Sequence, residues 1–259
     1  MNPAALSEEK IVEIGRECRR YFHAHPEIST QEAETSAKIF SLLEEWGLSP
    51  VRGTGHYGVA ATLKGKSEGP LIALRADMDA LSVREETGLP FASQNEGVMH
   101  ACGHDMILAA ALILAKIVRL LQRRDDLFGS VRILFQPSEE LSPTGGARLM
   151  MKDGFLDGVS GVFGLHVWPS YPVGRIGIKG GPLMAASDRF RVTIKGRTAH
   201  AGHPHEGVDA ILAAADFLQE VSHIVSRRVS PLDTATINVG TISGGSRYNV
   251  VPGSCILEG

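Results

Sequence analysis

Apolar residues recur at helical spacing in the first fifty residues of the chain. Ser7 followed by two glutamates is a typical helix start, because the hydroxyl caps the first turn and the acids face the positive end of the helix dipole. A second periodic stretch begins at Thr30 and stops at Gly47, a residue suited to the left-handed position after a helix. The pattern predicts two helices. Their apolar positions are Ile11, Ile14, Cys18, Tyr21 and Phe22, then Ala33, Ala37, Phe40, Leu43 and Trp46.

Beyond these helices, short apolar runs alternate with helical stretches. The runs lack polar alternation, which is typical of strands that are covered on both faces. Strands that alternate with helices form crossover units, so we expect an α/β fold with a mostly parallel sheet flanked by helices. The candidate strands are 59–63, 71–74, 131–135 and 162–167, and the candidate helices are 106–121 and 146–151.

The character of the chain changes near a Gly-Gly-Pro break at 180–182. The residues that follow predict part of a small α+β domain. We therefore expect a first domain over 1–182 and a second, incomplete one over 183–259. The candidate elements of the second domain are a half-exposed strand at 190–194, a helix at 208–227 and strands at 236–242 and 249–251.

Composition and charge narrow the class of protein. In 259 residues, 43% hydrophobic and 21% charged residues are typical of a globular protein and exclude wholesale disorder. A net charge of −3 without a dense basic tract argues against nucleic acid or an anionic membrane as a partner. Three scattered cysteines indicate a reducing compartment. With no apolar leader and no apolar stretch longer than 106–115, we expect a cytoplasmic protein.

Polar clusters follow three of the candidate strands. Asp77 and Asp79 come after the strand at 71–74, Glu139 and Glu140 after that at 131–135, and His166 closes the strand at 162–167. In open α/β sheets, ligands bind outside the carboxyl ends of the strands. The three clusters are therefore expected to converge on one crevice.

The segment 100–105, His-Ala-Cys-Gly-His-Asp, carries the clearest chemistry. Thiolate and imidazole are good ligands for zinc and other first-row divalent metals, and a turn at the intervening glycine could aim Cys102 and His104 at one site. A buried cysteine beside a helix-capping histidine is the plainer interpretation of such a pair. The clusters at neighbouring strand ends favour the metal, with His166 as a further ligand.

Glu139 and Glu140 could have different roles at such a site. One carboxylate would bind metal, while the other would act as the general base for a metal-activated water. Adjacent glutamates on a loop are also commonly just surface residues. Asp77 and Asp79 face one way on a strand, so they could orient a ligand imidazole or pair with Arg75 or Arg84.

Three histidines lie close together in the second section, at positions 200, 203 and 205. They could form a separate metal site. The flanking glycine and proline instead suggest a loop that presents one histidine to a substrate carbonyl.

Taken together, these residues resemble the M20 family of metallopeptidases. The resemblance is to its amidohydrolase branch of aminoacylases, hippurate hydrolases, N-acetyl-diaminopimelate deacetylases and indole-acetyl-amino-acid hydrolases. It is collinear over essentially the whole chain. The matching segments are 20–27, 77–81, 100–105, 135–140, 164–169 and 198–204.

The resemblance implies a two-metal hydrolase with a catalytic domain and a smaller lid or dimerisation domain. Cys102 would bridge two divalent ions, with His104, Glu140 and His166 as further ligands. The identity of the metal stays open among zinc, manganese, cobalt and nickel. A homodimer through the lid domain is implied for the full-length form.

The same resemblance implies the catalytic roles. Glu139 would be the general base that passes a proton from water to the leaving amine, and Asp79 would support the ligands from behind. His200 would stabilise the oxyanion, often from the partner subunit, and Asn249 would contact the substrate from the lid. The substrate would be an N-acyl amino acid, cleaved to an acyl acid and a free amino acid.

One feature departs from the family pattern. The family supplies another metal-binding histidine from a late segment, whereas no residue after 205 offers that context and His223 lies within the predicted lid helix. We therefore expect the chain to be a fragment of a longer enzyme. The alternatives are a metallo-carboxypeptidase or dipeptidase, or an inactive metal-binding or dimerisation fragment.

Overall fold

A computed structural model describes residues 7–141 and 145–259. The chain divides into two compact units, Met1–Leu183 and Met184–Gly259. Residues 1–6, on which the expectation of no leader partly rests, lie outside the described residues. Among the helices described, none combines the length and the apolar character needed to cross a membrane.

The helices of the first unit begin and end where local chemistry requires. The Ser7 hydroxyl accepts a hydrogen bond from the Lys10 N–H at 3.3 Å, which confirms the predicted cap. The second helix begins later than predicted, because Thr30 has a φ of 68°, outside the helical region. Gly47 has a φ of 76°, as expected after a helix. The helices are α1 (Glu8–Ala24), α2 (Ala33–Glu45), α3 (His104–Arg123) and α4 (Gly146–Lys152).

A five-stranded sheet, in the order β1-β2-β4-β3-β5, forms the centre of this unit. Strand β3 lies between β4 and β5 and pairs in parallel with both, and β2 pairs antiparallel with β1 and β4. In this sheet β2 therefore runs against the other four strands, and the predicted α/β class is confirmed. The strands are β1 (Pro50–Arg52), β2 (Val59–Lys64), β3 (Ser67–Asp77), β4 (Phe128–Gln136) and β5 (Val159–Gly164).

Side chains from both faces of the sheet are buried, as the unbroken apolar runs predict. Ile133 and Phe135 of β4 belong to the large core formed with α1, α2 and α3, while Leu134 between them joins a smaller cluster with Met150 of α4. This alternation follows from the two-residue period of a strand. The largest fully buried side chains of the main core include Phe22, Ile39, Leu43, Leu108 and Leu112.

The second unit is a small α+β structure with its own core. Its main sheet has the order β6-β10-β8, and β7 pairs with β9. Ala210 and Ala214 of the helix pack with Cys255 and Leu257 of β10. Of the strand predicted at 236–242, only residues 241 and 242 belong to an assigned strand, which continues to Gly244. The elements are β6 (Arg191–Lys195), β7 (Ala199–His200), α5 (Ala210–Arg228), β8 (Thr241–Gly244), β9 (Val250–Val251) and β10 (Ser254–Glu258).

Two phenylalanines provide a matched test of the core. Phe22 is fully buried, whereas Phe128 is 77% exposed. We expect Phe22→Ala to lower the free energy of unfolding by about 3–5 kcal/mol, since it removes a buried ring and leaves a cavity. Phe128→Ala should change it by less than about 0.5 kcal/mol. Urea denaturation followed by circular dichroism measures both, and equal effects of the two substitutions would contradict this core.

Candidate metal centre

The predicted ligands lie at one edge of the sheet of the first unit. Strands β3, β4 and β5 run in parallel and end at Asp77, Gln136 and Gly164. Parallel strands have their carboxyl ends at the same edge, so the segments that follow them are neighbours. His166 follows β5 instead of closing it, because the strand stops two residues earlier.

His104 is the buried centre of the cluster. It is the first residue of α3, and its Nδ1 lies 2.8 Å from the Asp79 carbonyl oxygen. A carbonyl only accepts, so Nδ1 carries the proton and the lone pair of the neutral ring lies on Nε2. Nε2 is buried without a hydrogen-bond partner among the described residues, 3.9 Å from Glu139 Oε2 and 4.0 Å from Glu140 Oε1. This is the arrangement expected of a metal-binding imidazole.

Two sets of three donor atoms share His104. Cys102, His104 and His166 form one set, and His104, Glu139 and Glu140 form the other, with the donor atoms of each set within 4.8 Å of one another. Cys102 Sγ lies 3.4 Å from His166 Nε2. His166 Nδ1 is 2.7 Å from the Val167 carbonyl oxygen, so in the neutral ring the proton is on Nδ1 and the lone pair is on Nε2, which faces the Cys102 sulfur. Sulfur, imidazole and carboxylate donors suit zinc and similar divalent ions.

Electrostatics favour a cation at this position. Burial, a hydrogen bond with Glu140 and the negative charges of Glu140, Glu139 and Asp77 raise the pKa of the Cys102 thiol to about 12. Burial also raises the pKa of Asp77 to about 7, although Arg75 and His104 oppose the shift. Such a concentration of acidic groups disfavours further negative charge. A bound divalent ion would instead favour negative charge on its ligands, and it deprotonates a coordinating thiol.

Asp79 forms hydrogen bonds with the segments that carry the candidate ligands. Its Oδ2 accepts hydrogen bonds from the Ser29 hydroxyl at 2.7 Å and from the Glu140 N–H at 2.9 Å. Burial alone would raise its pKa, but the hydrogen bonds from His104, Glu140 and Ser29 hold the pKa of Asp79 below its ordinary value. Asp77 instead pairs with Arg75 at 2.5 Å. The sequence left two roles open for these aspartates. Asp79 supports the His104 imidazole, and Asp77 pairs with an arginine.

Asp105, the neighbour of His104, fastens the start of α3 to α1. Its Oδ2 lies 2.8 Å from His23 Nδ1 and accepts a hydrogen bond from Arg19 Nε at 3.1 Å. The other ring nitrogen of His23 lies 3.1 Å from Glu85 Oε1. The first turn of α3, and with it His104, is therefore fixed by a buried polar network.

Comparison with known proteins decides the family. A family model described as Peptidase family M20/M25/M40 matches residues 73–246. The chain belongs to this family. The sequence-based prediction of an M20 metallopeptidase is confirmed.

Two curated relatives are named for action on N-acyl amino acids. An N-acetyl-L-cysteine deacetylase of Bacillus subtilis is 48% identical over all of this chain and 61% of its own length. An N-acyl-L-amino acid amidohydrolase of Geobacillus stearothermophilus is 44% identical over 93% of this chain and 64% of its own length. The chain thus spans about three-fifths of the length of these relatives.

Solved structures of the M20 family share the fold. A dinuclear metal binding peptidase from Bacillus subtilis matches with a TM-score of 0.80 at 39% identity, covering 98% of this chain and 64% of that chain. This match includes the α/β sheet that presents the candidate ligands.

The two predicted substrate residues, His200 and Asn249, lie together in the second unit. His200 pairs with Val250 across β7 and β9, and the Ala201 N–H donates to the Asn249 carbonyl oxygen at 3.1 Å. His200 Nδ1 accepts from the Gly202 N–H at 3.0 Å, so the proton is on Nε2. Among the described residues the histidines at 200, 203 and 205 form no set of close donor atoms.

Three supporting residues were missed by sequence reasoning. Ser29 binds Asp79, and the buried Glu32 binds Ser138, from 50 and 106 positions away along the chain. The polar segment before α2 carries no local sign of these contacts. A positive φ of 55° at Ser138, which precedes the two glutamates, is likewise invisible in the sequence.

Gly103 provides a test of how the ligand loops fit together. It separates Cys102 from His104 with a φ of 89°, and a Cβ there would lie 2.4 Å from Cγ2 of Val167, the neighbour of His166. We expect Gly103→Ala to push the loops apart and weaken Zn²⁺ binding at least about 10-fold, as disturbing the support of ligands does. Isothermal titration calorimetry measures the affinity.

Gly55→Ala is the matched control for this substitution. Gly55 has a φ of 73°, and a Cβ at this position would meet no atom within 4 Å, so alanine there introduces similar backbone strain without a clash. It should leave Zn²⁺ affinity unchanged. Adding Val167→Ala to Gly103→Ala should restore part of the affinity. Unchanged binding by Gly103→Ala alone would show that this contact does not position the ligands.

Proposed function

We propose that the protein is a metal-dependent amidohydrolase that cleaves N-acyl amino acids into an acyl acid and a free amino acid. The observation that carries this proposal is His104, which belongs to two donor sets at once and whose Nε2 is buried without a hydrogen-bond partner among the described residues. The 48% identity to an N-acetyl-L-cysteine deacetylase supports the substrate class. The chain covers about three-fifths of the length of these relatives. The activity is therefore a proposal for the protein as a whole.

We further propose that two divalent ions bind at this edge of the sheet. The residues that would hold these ions are Cys102, His104, Glu140 and His166. When bound, such ions supply a water of lowered pKa and a Lewis acid for the amide carbonyl. The dinuclear relative supports the number of ions, and the donor types suit zinc, manganese, cobalt or nickel.

Glu139 and Glu140 are proposed to differ in role because their surroundings differ. The Glu140 backbone is fixed to Asp79, its carboxylate interacts with the Cys102 thiol, and its side chain is 25% exposed. The Glu139 side chain is 39% exposed and is therefore the more accessible to solvent of the two. Glu140 is the ligand in this scheme. Glu139 removes a proton from the attacking water and delivers it to the amine nitrogen as the C–N bond breaks.

The second unit is proposed to contribute to substrate binding as a lid or dimerisation domain. The His200 imidazole, with its proton on Nε2, is suited to donate a hydrogen bond to the oxyanion that develops on the carbonyl oxygen. The Asn249 side chain is proposed to contact the substrate; its Oδ1 is buried without a hydrogen-bond partner among the described residues. A homodimer through this unit and a cytoplasmic location stay predictions from the sequence.

A substrate panel tests the proposed reaction. The purified chain, loaded in turn with Zn²⁺, Mn²⁺, Co²⁺ and Ni²⁺, is assayed on N-acetyl-L-cysteine, N-benzoyl-glycine and a set of dipeptides. We expect the N-acyl amino acids to be hydrolysed with at least about 10-fold higher kcat/KM, and chelation to abolish the activity. Preference for dipeptides would favour a peptidase. Tight metal binding with no turnover of either class would instead indicate an inactive metal-binding fragment.

Two isosteric substitutions separate the general base from the ligand. Glu139→Gln should keep the bound metal and lower kcat by at least about 100-fold, because the amide cannot accept the proton. Glu140→Gln should lose metal first, because a neutral amide is a weaker ligand for a divalent ion. Metal content by mass spectrometry and kcat are measured on both proteins. Metal loss in Glu139→Gln with retention in Glu140→Gln would reverse the two roles.

A further inference from the structure

The side chain of Glu32 is buried and is not used by the helix that it precedes. Glu32 is the N-cap residue of α2, yet its carboxylate makes no capping hydrogen bond. The first N–H groups of the helix donate instead to Glu27, from Glu34 at 3.1 Å and from Thr35 at 2.7 Å. An N-cap carboxylate ordinarily accepts these bonds. The Glu32 carboxylate is therefore available to accept hydrogen bonds from another part of the chain.

The Glu32 carboxylate binds the chain just before the two glutamates of the candidate metal centre. Glu32 Oε1 accepts hydrogen bonds from the Ser138 N–H at 2.6 Å and from the Ser138 hydroxyl at 3.0 Å. The Ser138 hydroxyl in turn accepts one from the Thr30 N–H at 2.9 Å. Ser138 is held on both its backbone and its side chain by the segment 30–32.

The conformation held in this way is unusual for a residue with a side chain. Ser138 has a φ of 55° and Thr30 a φ of 68°, both in the left-handed region. Residues other than glycine are rarely found there unless surrounding contacts enforce it. Gly145 and Gly146 pack closely against the same turn. A Cβ on Gly145 would lie within 2.7 Å of the Ser138 carbonyl oxygen, and a Cβ on Gly146 within 2.7 Å of the Pro137 carbonyl oxygen.

The turn at Ser138 determines where the next two residues point. Immediately after it, the Glu140 N–H reaches Asp79, and both glutamate carboxylates come within 4.0 Å of His104 Nε2. An extended residue at 138 would send the chain in another direction after β4. Glu32 therefore contacts the residue from which the chain turns toward both carboxylates.

We propose that Glu32 is a positioning residue of the metal centre: by accepting two hydrogen bonds from Ser138, it holds the left-handed turn that brings Glu139 and Glu140 to His104. The proposal rests on the proposed function for its catalytic meaning, but its test reads metal binding directly. The acting group is a hydrogen-bond acceptor and not a charge. The second oxygen, Oε2, is buried without a hydrogen-bond partner among the described residues.

This distinction defines the variants. Glu32→Gln keeps an oxygen at the position of Oε1 and places an amide group at Oε2, so it should preserve the turn. Glu32→Met has similar length without an acceptor, and Glu32→Asp keeps the charge but falls short of Ser138. Adding Ser138→Gly to Glu32→Met provides a rescue, because glycine adopts a positive φ without enforcement.

Co²⁺ titration of the full 259-residue chain measures the effect. Both the dissociation constant and the visible and thiolate-to-cobalt absorption bands are recorded, with melting temperature as a separate measure of folding. We expect Glu32→Gln to bind within about 3-fold of the unsubstituted chain. Glu32→Met and Glu32→Asp should bind at least about 10-fold more weakly with altered visible bands, and Ser138→Gly should recover part of the loss.

Specific results would overturn the proposal. These are unchanged Co²⁺ affinity and spectra in folded Glu32→Met or Glu32→Asp, or a Glu32→Gln protein as impaired as Glu32→Met. If Glu32→Met does not fold, Glu32→Asp and Glu32→Gln decide the question. Normal Co²⁺ binding without hydrolysis of any N-acyl amino acid would refute the proposed function and leave the positioning role intact.

Discussion

The hydrogen bonds of Asp79 join three other chain segments at the candidate metal centre. Its carbonyl oxygen holds His104 at the start of α3, and its carboxylate holds Glu140 after β4 and Ser29 before α2. Asp79 can do this because it follows β3, which lies between β4 and β5 in the sheet. Parallel pairing brings the strand ends together, and hydrogen bonds from one buried residue then orient the side chains.

The same arrangement concentrates acidic groups in a partly buried place. Asp77, Asp79, Glu139 and Glu140 lie around His104, and burial raises the pKa of Asp77 to about 7. In the absence of compensation, such a cluster would be unfavourable for folding. Hydrogen bonds to Asp79 and the ion pair of Asp77 with Arg75 compensate part of this cost.

Sequence reasoning worked where periodicity and chemistry coincide. The alternation of apolar strands and helices predicted the α/β sheet, and the polar residues after three strands predicted one shared site. It worked less well at element ends. The late start of α2 and the early end of β5 depend on the backbone at Thr30 and on pairing with β3, neither of which a local pattern contains. The three-residue strand β1 is too short to leave a periodic signal.

The sequence by itself determined the family and the fold class and indicated the candidate donor residues, because these depend on residue type, spacing and order. The tertiary structure alone decided which aspartate supports His104, which nitrogen of His104 is free, and that Glu32 reaches Ser138 across 106 positions. The physical reason is that buried hydrogen bonds join groups that are adjacent only after the sheet has formed. A pattern along the chain records local preference, whereas these contacts depend on which strand ends meet.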